Sequence, residues 1–368
     1  MTQLFQILTN GAIILGAFVI LLLNTKGVRK TRANVFLSIL LGALAFSTFH
    51  LRYAGDVISH FAVKAYSLGD PSFLIIAPLL WFYIVELTGG RIRFSVSSLL
   101  HFLPFMVITF CSISFGTFLS DSAIRKVLDE HARLPYTVFW IVVVIQFWAY
   151  QYAIHKKWRE FQNTLRQEVS NTEDVSISWV RFFMGVFLII SVSFLFALFA
   201  VIHLDITTWL WRSIGIVMSL SIFALGYKGI LQREIFYTIT DTPATPETVT
   251  EIREKPDPEL LEKLRLFMRD TKPYLDPELS LSSLSKQVGL SRNQLSQLIN
   301  DGFGENFYDF VNKYRVEEVK RLMVDPQKQN YSLLGIALEA GFKSKSTFNL
   351  IFKRFTGLTP TEYKKNIT

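Results

Sequence analysis

The stretches LSLSSLSKQVGLSRNQLSQLI (residues 279–299) and SLLGIALEAGFKSKSTFNLIFKRFTGLTPTEYKK (residues 332–365) decide how the carboxyl-terminal part of this 368-residue chain folds. Apolar residues recur at helical spacing on both sides of Gly289 in the first stretch and of Gly341 in the second. Serines stand where helix caps are expected, at Ser280 and Ser291 and again at Ser344. Each stretch therefore predicts a helix, a turn and a second helix.

Two further helices are predicted beside these units. Asp257 followed by Pro258 is typical of a helix start, and apolar residues continue at helical spacing to about residue 271. A long amphipathic helix is predicted over residues 306–323, between the two units. We therefore expect residues 257–368 to form one all-α domain of two helix-turn-helix units.

The second helix of each unit carries polar residues on the face turned away from the apolar one. These are Arg292, Asn293, Gln294, Ser296 and Gln297 in the first unit, and Lys345, Ser346, Asn349, Lys353 and Arg354 in the second. Arginine pairs bidentately with guanine, and asparagine or glutamine with adenine, in the major groove. Residues 343–365 also hold six Lys and Arg against one acidic residue, which suits phosphate contact. The expected partner is double-stranded promoter DNA, although Asn293 and Gln297 could also be ordinary solvated residues.

The stretch AGFKSKSTFNLIFKRFTGLTPTEYKK carries the pattern G-F-x-S…F…F-K…G-x-T-P…Y, and residues 260–365 thereby resemble the DNA-binding region of AraC/XylS-type transcription regulators. The resemblance implies two subdomains, each placing one helix in successive major grooves. The family often has an arginine where Leu350 stands, and it implies phosphate contact at Lys353. Together with the outward-facing positions, the resemblance leads us to expect two sets of contacts. Base contacts are expected from Arg292, Asn293, Ser296, Gln297, Lys345, Ser346 and Asn349, and phosphate contacts from Lys343, Lys353 and Arg354.

The first 237 residues are dominated by apolar runs. Seven of them are long enough to cross a bilayer, which takes about 20 residues, and they lie at about residues 4–23, 33–51, 72–87, 98–119, 136–154, 181–202 and 208–227. The first lacks a basic leader and a small-residue cleavage site, so an uncleaved span is expected. The predicted fold is an all-α chain with a seven-helix transmembrane bundle in residues 1–237, followed by the double helix-turn-helix domain.

Loop charges predict the orientation of these spans. The first, third and fifth loops hold ten Lys and Arg, and the alternate loops hold five. Because positive loops stay in the cytoplasm, the amino terminus is expected outside and the carboxyl-terminal domain inside. The predicted location is the cytoplasmic (inner) membrane of a bacterium, with the DNA-binding domain in the cytoplasm.

Residues 238–256 are rich in Thr, Pro and acidic residues, which predicts a flexible linker. Proteolytic release at this linker is one possible mode of regulation. The first half of the fifth loop, from residue 155, is expected to extend the preceding helix.

Polar residues in or beside the spans are candidates for a signal site. We single out His50, Glu86, His101 and Arg212 for an unidentified small-molecule or lipid ligand. The alternative for each is an interfacial anchor or a hydrogen bond between helices.

Signals of catalysis are missing from the sequence. It has no glycine-rich phosphate loop and one cysteine, Cys111, and its six histidines lack metal-ligand spacing. We expect no enzyme activity, no cofactor and no metal.

The sequence is compatible with two functions. In the first, a seven-span sensor responds to a cue in or through the membrane and controls a homodimeric, sequence-specific DNA reader. In the second, the membrane half is a receptor or transporter and the carboxyl-terminal domain is mainly a protein-docking module.

Overall fold

The computed structural model describes residues 2–25, 32–53, 70–118, 133–171, 177–203, 208–231 and 257–367. Regular structure in these ranges is helical, with one isolated antiparallel bridge between Val169 and Ser280. The chain divides into two compact units, Met1–Trp158 with Ser178–Glu234, and Arg159–Ile177 with Ile235–Thr368. The predicted all-α fold is therefore confirmed for the described residues.

Eight helices of the described residues precede the carboxyl-terminal domain. They are α1 (Thr2–Leu23), α2 (Arg32–Tyr53), α3 (Phe73–Leu87), α4 (Val96–Leu100), α5 (Leu103–Phe118), α6 (Arg133–Glu168), α7 (Ile177–His203) and α8 (Thr208–Leu231). The last turns of α6, from Arg159 onward, belong to the second unit. A helical extension into the fifth loop is thus present.

Four of the described helical segments are long and apolar enough to cross a membrane: Gln3–Leu23, Arg32–Tyr53, Thr137–Glu168 and Val180–Ala200. Three further apolar helical segments, Phe73–Leu87, Leu103–Ser114 and Arg212–Tyr227, are shorter. Each predicted span therefore coincides with an apolar helix, but four of them reach membrane length, and the seven-span bundle stays a prediction.

The predicted fourth span, residues 98–119, is interrupted. Helix α4 ends at Leu100 and α5 begins at Leu103. Pro104 follows directly, and its ring would collide with the carbonyl of Leu100 if the helix were continuous. Proline does not interrupt every helix of this protein: Pro78 lies inside α3.

The second unit contains the carboxyl-terminal helices. They are α9 (Pro258–Thr271), α10 (Leu281–Val288), α11 (Arg292–Gln297), α12 (Phe307–Met323), α13 (Leu333–Glu339), α14 (Lys345–Thr356) and α15 (Pro360–Ile367). Helices α10 and α11 form the first helix-turn-helix unit, and α13 and α14 the second. The linker predicted at residues 238–256 lies outside the described residues.

Side-chain caps begin these helices where the sequence predicts them. The hydroxyls of Ser280 and Ser291 accept hydrogen bonds from the third residue of α10 and α11, completing a capping box in each case. The Ser344 hydroxyl accepts from the N–H of Thr347 in α14, and the Asn306 side chain accepts from the N–H of Asp309 in α12. Caps of this kind satisfy backbone N–H groups that a helix leaves without partners.

Two hydrophobic cores lie on opposite parts of α12. The first includes Leu264, Met268, Leu281, Leu284, Leu295, Leu298, Ile299, Phe307, Phe310 and Val311. The second includes Tyr308, Val316, Val319, Leu322, Ile336, Ala337, Phe342, Phe348, Ile351 and Phe352. Each helix-turn-helix unit therefore has its own core, and α12 contributes side chains to both.

Candidate nucleic-acid interface

Helix α11 presents a polar face beside a shallow cavity. Leu295 is buried beneath the helix, whereas Asn293 is exposed and Ser296 and Gln297 are half-buried. A cavity of about 350 Å³ is lined by Asn293, Ser296, Gln297, Asn300 and Asp301. Amide groups can donate to and accept from base edges, and a carboxylate can accept from the amino group of cytosine.

Helix α14 has the same division into two faces. Phe348, Ile351 and Phe352 are buried, while Lys345, Ser346 and Asn349 are exposed. Leu350 shares the exposed side, with 69% of its surface accessible. The polar residues predicted to face outward on α14 do so, and Leu350 adds an apolar group among them.

Two cations expected to contact phosphate form ion pairs with acidic residues of the same domain. Lys343 pairs with Glu278, and Arg354 pairs with Asp309 and lies 5.0 Å from the ring centroid of Phe355. The third, Lys353, is exposed. Lys343 lies two residues before α14 and Arg354 lies in its last turn, so contact with a phosphate would require each of these ion pairs to break.

Arg292, at the start of α11, also has an acidic partner. Its Nε lies 3.0 Å from Oε2 of Glu168, the last residue of α6, and its Nη2 contacts the other carboxylate oxygen. A base contact by Arg292 therefore requires its ion pair with Glu168 to break. The separation of these residues along the chain explains why sequence reasoning did not anticipate the pair.

Arg315 is a buried cation of α12 that the sequence analysis missed. Its side chain is 1% exposed. Nε donates to the carbonyl of Tyr274 at 2.8 Å, and Nη2 donates to the carbonyl of Asp276 at 2.8 Å. Burial lowers the pKa of Arg315 to about 10, so it stays protonated at neutral pH.

The signal for Arg315 was present in the spacing of α12. Arg315 follows the buried Val311 by four residues and precedes the buried Val319 by four, so it lies on the inward stripe. A charged residue at such a position requires buried partners.

The four candidate signal residues lie in the first unit. Nδ1 of His50 is 2.7 Å from Oδ2 of Asp70, and both side chains are buried. Glu86 accepts from the backbone N–H of Ile92 at 2.7 Å and lies 3.2 Å from Arg32, and His101 contacts the hydroxyl of Tyr150 at 2.5 Å. Arg212 is half-buried. Three of the four thus have their own protein partners, and their role in sensing stays a prediction.

In the described ranges, no group of three or more His, Cys, Asp or Glu is arranged to hold a metal ion.

A comparison with known protein families places the similarity in the same region. Residues 284–366 match a family model described as "Helix-turn-helix domain". A stretch of 91 residues is 38% identical to an uncharacterized HTH-type transcriptional regulator of Staphylococcus aureus (strain COL), covering 25% of this chain and 12% of that protein. A stretch of 110 residues is 28% identical to the "Probable transcriptional regulator LumQ" of Photobacterium leiognathi, covering 29% of this chain and 43% of that protein.

One solved structure is also similar. A protein of unknown function from Listeria innocua is 29% identical over 30% of this chain and 97% of its own, with a TM-score of 0.25. The chain spans about one eighth of the staphylococcal relatives and less than half of LumQ. The matched region thus carries the helix-turn-helix description, and both named relatives are described as transcriptional regulators.

Proposed function

We propose that this protein is a membrane-anchored transcription regulator of the AraC/XylS type, which binds promoter DNA sequence-specifically through both helix-turn-helix units. The observation that carries the proposal is the pairing of two complete units on α12, each with a buried apolar face and an outward polar face on its second helix. Second helices of this kind enter the major groove in helix-turn-helix proteins.

In the proposed complex, α11 and α14 are the recognition helices. Asn293, Ser296, Gln297 and, once released from Glu168, Arg292 face base edges in one groove. Lys345, Ser346 and Asn349 face those in the next. Lys343, Lys353 and Arg354 bind phosphates, which contributes affinity that falls steeply with salt.

The membrane part of the proposal is supported by the apolar helices and the loop charges. Within the described ranges, four helical segments have the length and hydropathy of spans, and the basic loops favour an outside amino terminus. The carboxyl-terminal domain would then lie in the bacterial cytoplasm, where the DNA is.

A cue in or through the membrane would act by binding two arrangements of the helices with different affinity. His50, Glu86, His101 and Arg212 are the residues we assign to a ligand or lipid site. A homodimer would present two readers to neighbouring half-sites and raise their effective concentration.

The test uses the full chain in lipid nanodiscs and a labelled duplex from its own promoter region. Replacing Lys345 and Asn349 with alanine should weaken binding by about tenfold or more, because each good base contact contributes about 1–3 kcal/mol of discrimination. Lys263→Ala with Asn330→Ala is the matched control, since it removes exposed residues of the same types outside α11 and α14. Equal affinity of the recognition variant and the wild type would remove α14 as a reading helix.

The docking-module alternative is favoured by one observation, the exposed Leu350 on α14. An apolar side chain in that position suits a protein partner better than a phosphate. Binding to DNA that hardly changes between 50 and 200 mM salt would support this alternative, while a loss of several orders of magnitude would support DNA binding.

A further inference from the structure

Residues 168–171, the last residue of α6 and the three residues after it, lie against the first helix-turn-helix unit within the second compact unit of the chain. We propose that this segment is an inhibitory strap: it occupies Arg292 of the recognition helix α11 and must detach before the protein binds DNA at full strength. The proposal rests on the proposed DNA-binding function and adds a mode of control to it.

The strap is held at Ser170, whose polar groups all have partners. Its carbonyl accepts from Nη1 of Arg315 at 3.0 Å and from Nδ2 of Asn312 at 3.2 Å. Its hydroxyl donates to the carbonyl of Leu279 at 2.6 Å and accepts from Nη2 of Arg315 at 3.0 Å. Its N–H also donates to the carbonyl of Leu279, at 3.2 Å.

Burial makes this contact specific. Ser170 and Arg315 are each 1% exposed, and Asn312 is fully buried. Hydrogen bonds between buried groups cannot be exchanged for water without exposing or orphaning a donor or acceptor. The strap therefore occupies a site with matched partners, in contrast to a chain segment lying loosely on a surface.

The same site is continuous with the start of α10, the helix that precedes the recognition helix α11. Arg315 also binds the carbonyls of Tyr274 and Asp276, which precede α10. Val169 forms an antiparallel bridge with Ser280, the cap of α10. Detaching the strap would therefore remove partners from the segment that positions α10 and, through it, α11.

The inhibitory element is Glu168. Its carboxylate binds the guanidinium of Arg292 through both oxygens, and its side chain is 18% exposed against 39% for Arg292. Guanine or phosphate would need the same guanidinium nitrogens, so DNA and Glu168 exclude each other there. The carboxylate also repels an approaching phosphate.

Helix α6 supplies a means of release. It is one continuous helix from Arg133 to Glu168, and its apolar part, from Thr137 onward, is one of the four membrane-length segments. A helix transmits an axial shift or a rotation to its end, where residue 168 and the strap begin. A change at the apolar end thus has a direct covalent route to the strap.

The experiment compares DNA affinity of full-length variants in nanodiscs. Glu168→Gln keeps the side-chain shape but removes the charge, and it should raise affinity about threefold to tenfold, as expected when one more cation becomes available to DNA. Ser170→Ala, which loses both hydroxyl contacts, should raise affinity in the same direction. Glu317→Gln is the charge-matched control, because Glu317 is 65% exposed and pairs with Lys320, and it should stay within about twofold of the wild type.

A double-mutant cycle tests whether Glu168 acts through Arg292. In an Arg292→Gln background, Glu168→Gln should have no further effect. Hydrogen exchange at the Ser170 amide, which binds Leu279 in the wild type, should become faster in both strap variants. Unchanged affinity in Glu168→Gln and Ser170→Ala, with salt-sensitive DNA binding intact, overturns the strap and leaves the proposed function standing. Absence of salt-sensitive DNA binding in the wild type and every variant overturns both.

Discussion

Nε2 of Gln146 in α6 donates a hydrogen bond of 3.1 Å to the backbone carbonyl of Leu74 in α3. Leu74 is four residues before Pro78, which has no N–H to offer it. The side chain of Gln146 therefore replaces the helical hydrogen bond that proline removes. This contact explains how an apolar helix of the first unit tolerates an internal proline, since freed carbonyls in such helices need a substitute donor.

Gln146→Leu should lower the thermal stability of the full chain in detergent, because the buried carbonyl of Leu74 loses its donor. The expected cost is about 1–3 kcal/mol. Pro78→Ala is the matched background, since alanine restores the backbone N–H, and there the same substitution should cost measurably less. An equal cost in both backgrounds would show that Gln146 does not serve this carbonyl.

Gly341→Ala should strongly destabilise the carboxyl-terminal domain. Gly341 has φ +89°, and an added Cβ would stand 2.4 Å from the carbonyl oxygen of Tyr274 and 3.0 Å from Nε of Arg315. Backbone strain and the clash together should cost at least about 2 kcal/mol. The control is Gly289→Ala, where φ is +72° and no heavy atom lies within 4 Å, so only the strain of about 1 kcal/mol remains. Hydrogen exchange in α12 measures the loss of stability in each variant. Similar protection in the two variants would contradict the clash.

Glu318 should make the second unit sensitive to acid. The Arg321 guanidinium, and then Lys272, lower the pKa of this buried carboxyl below its usual 4.5. A lowered pKa stabilises the folded state above pH 4.5, and this contribution disappears as the pH falls through the folded-state pKa. Glu318→Gln should lose about 1–2 kcal/mol at pH 7 and show a smaller further loss between pH 5 and 3 than the wild type. Parallel pH curves for the two proteins would refute this role.

Leu350→Arg should strengthen DNA binding and make it more dependent on salt. Leu350 is 69% exposed on the outward side of α14, where an arginine could reach a phosphate or a base. One added phosphate contact should steepen the slope of log affinity against log salt by about 0.9. Leu338→Arg, at a 50% exposed position on α13, is the control and should leave the slope nearly unchanged. Fluorescence anisotropy at several salt concentrations measures this slope for each variant. An equal steepening of the slope in the two variants would indicate general attraction by charge.

The helices of the carboxyl-terminal domain could be predicted from sequence in detail because their determinants are local. Caps at Ser280, Ser291 and Ser344 and the turn at Gly341 depend on residues three or four positions apart. The long helix predicted over residues 306–323 is present as α12, which begins one residue later, at Phe307, and ends at Met323.

The features that were missed join residues far apart in the chain. Arg292 meets Glu168 and Arg315 meets Ser170 across separations of 124 and 145 residues. Periodicity shows that α11 has a polar face, but it does not show that a carboxylate from another helix has already bound to it. The break before α5 was a local signal that was overlooked, since Pro104 was visible in the sequence.

The division of the carboxyl-terminal domain into two cores on one shared helix has a consequence for evolution. Phe348 and Phe352 belong to a different core from Leu284 and Leu295, so a substitution on the outward face of one second helix leaves the core beneath the other second helix in place. Under the proposed function, promoters could then drift at one half of the operator while the remaining half still recruits the protein. Regulators built in this way can acquire new target genes gradually, without passing through a form that recognises nothing.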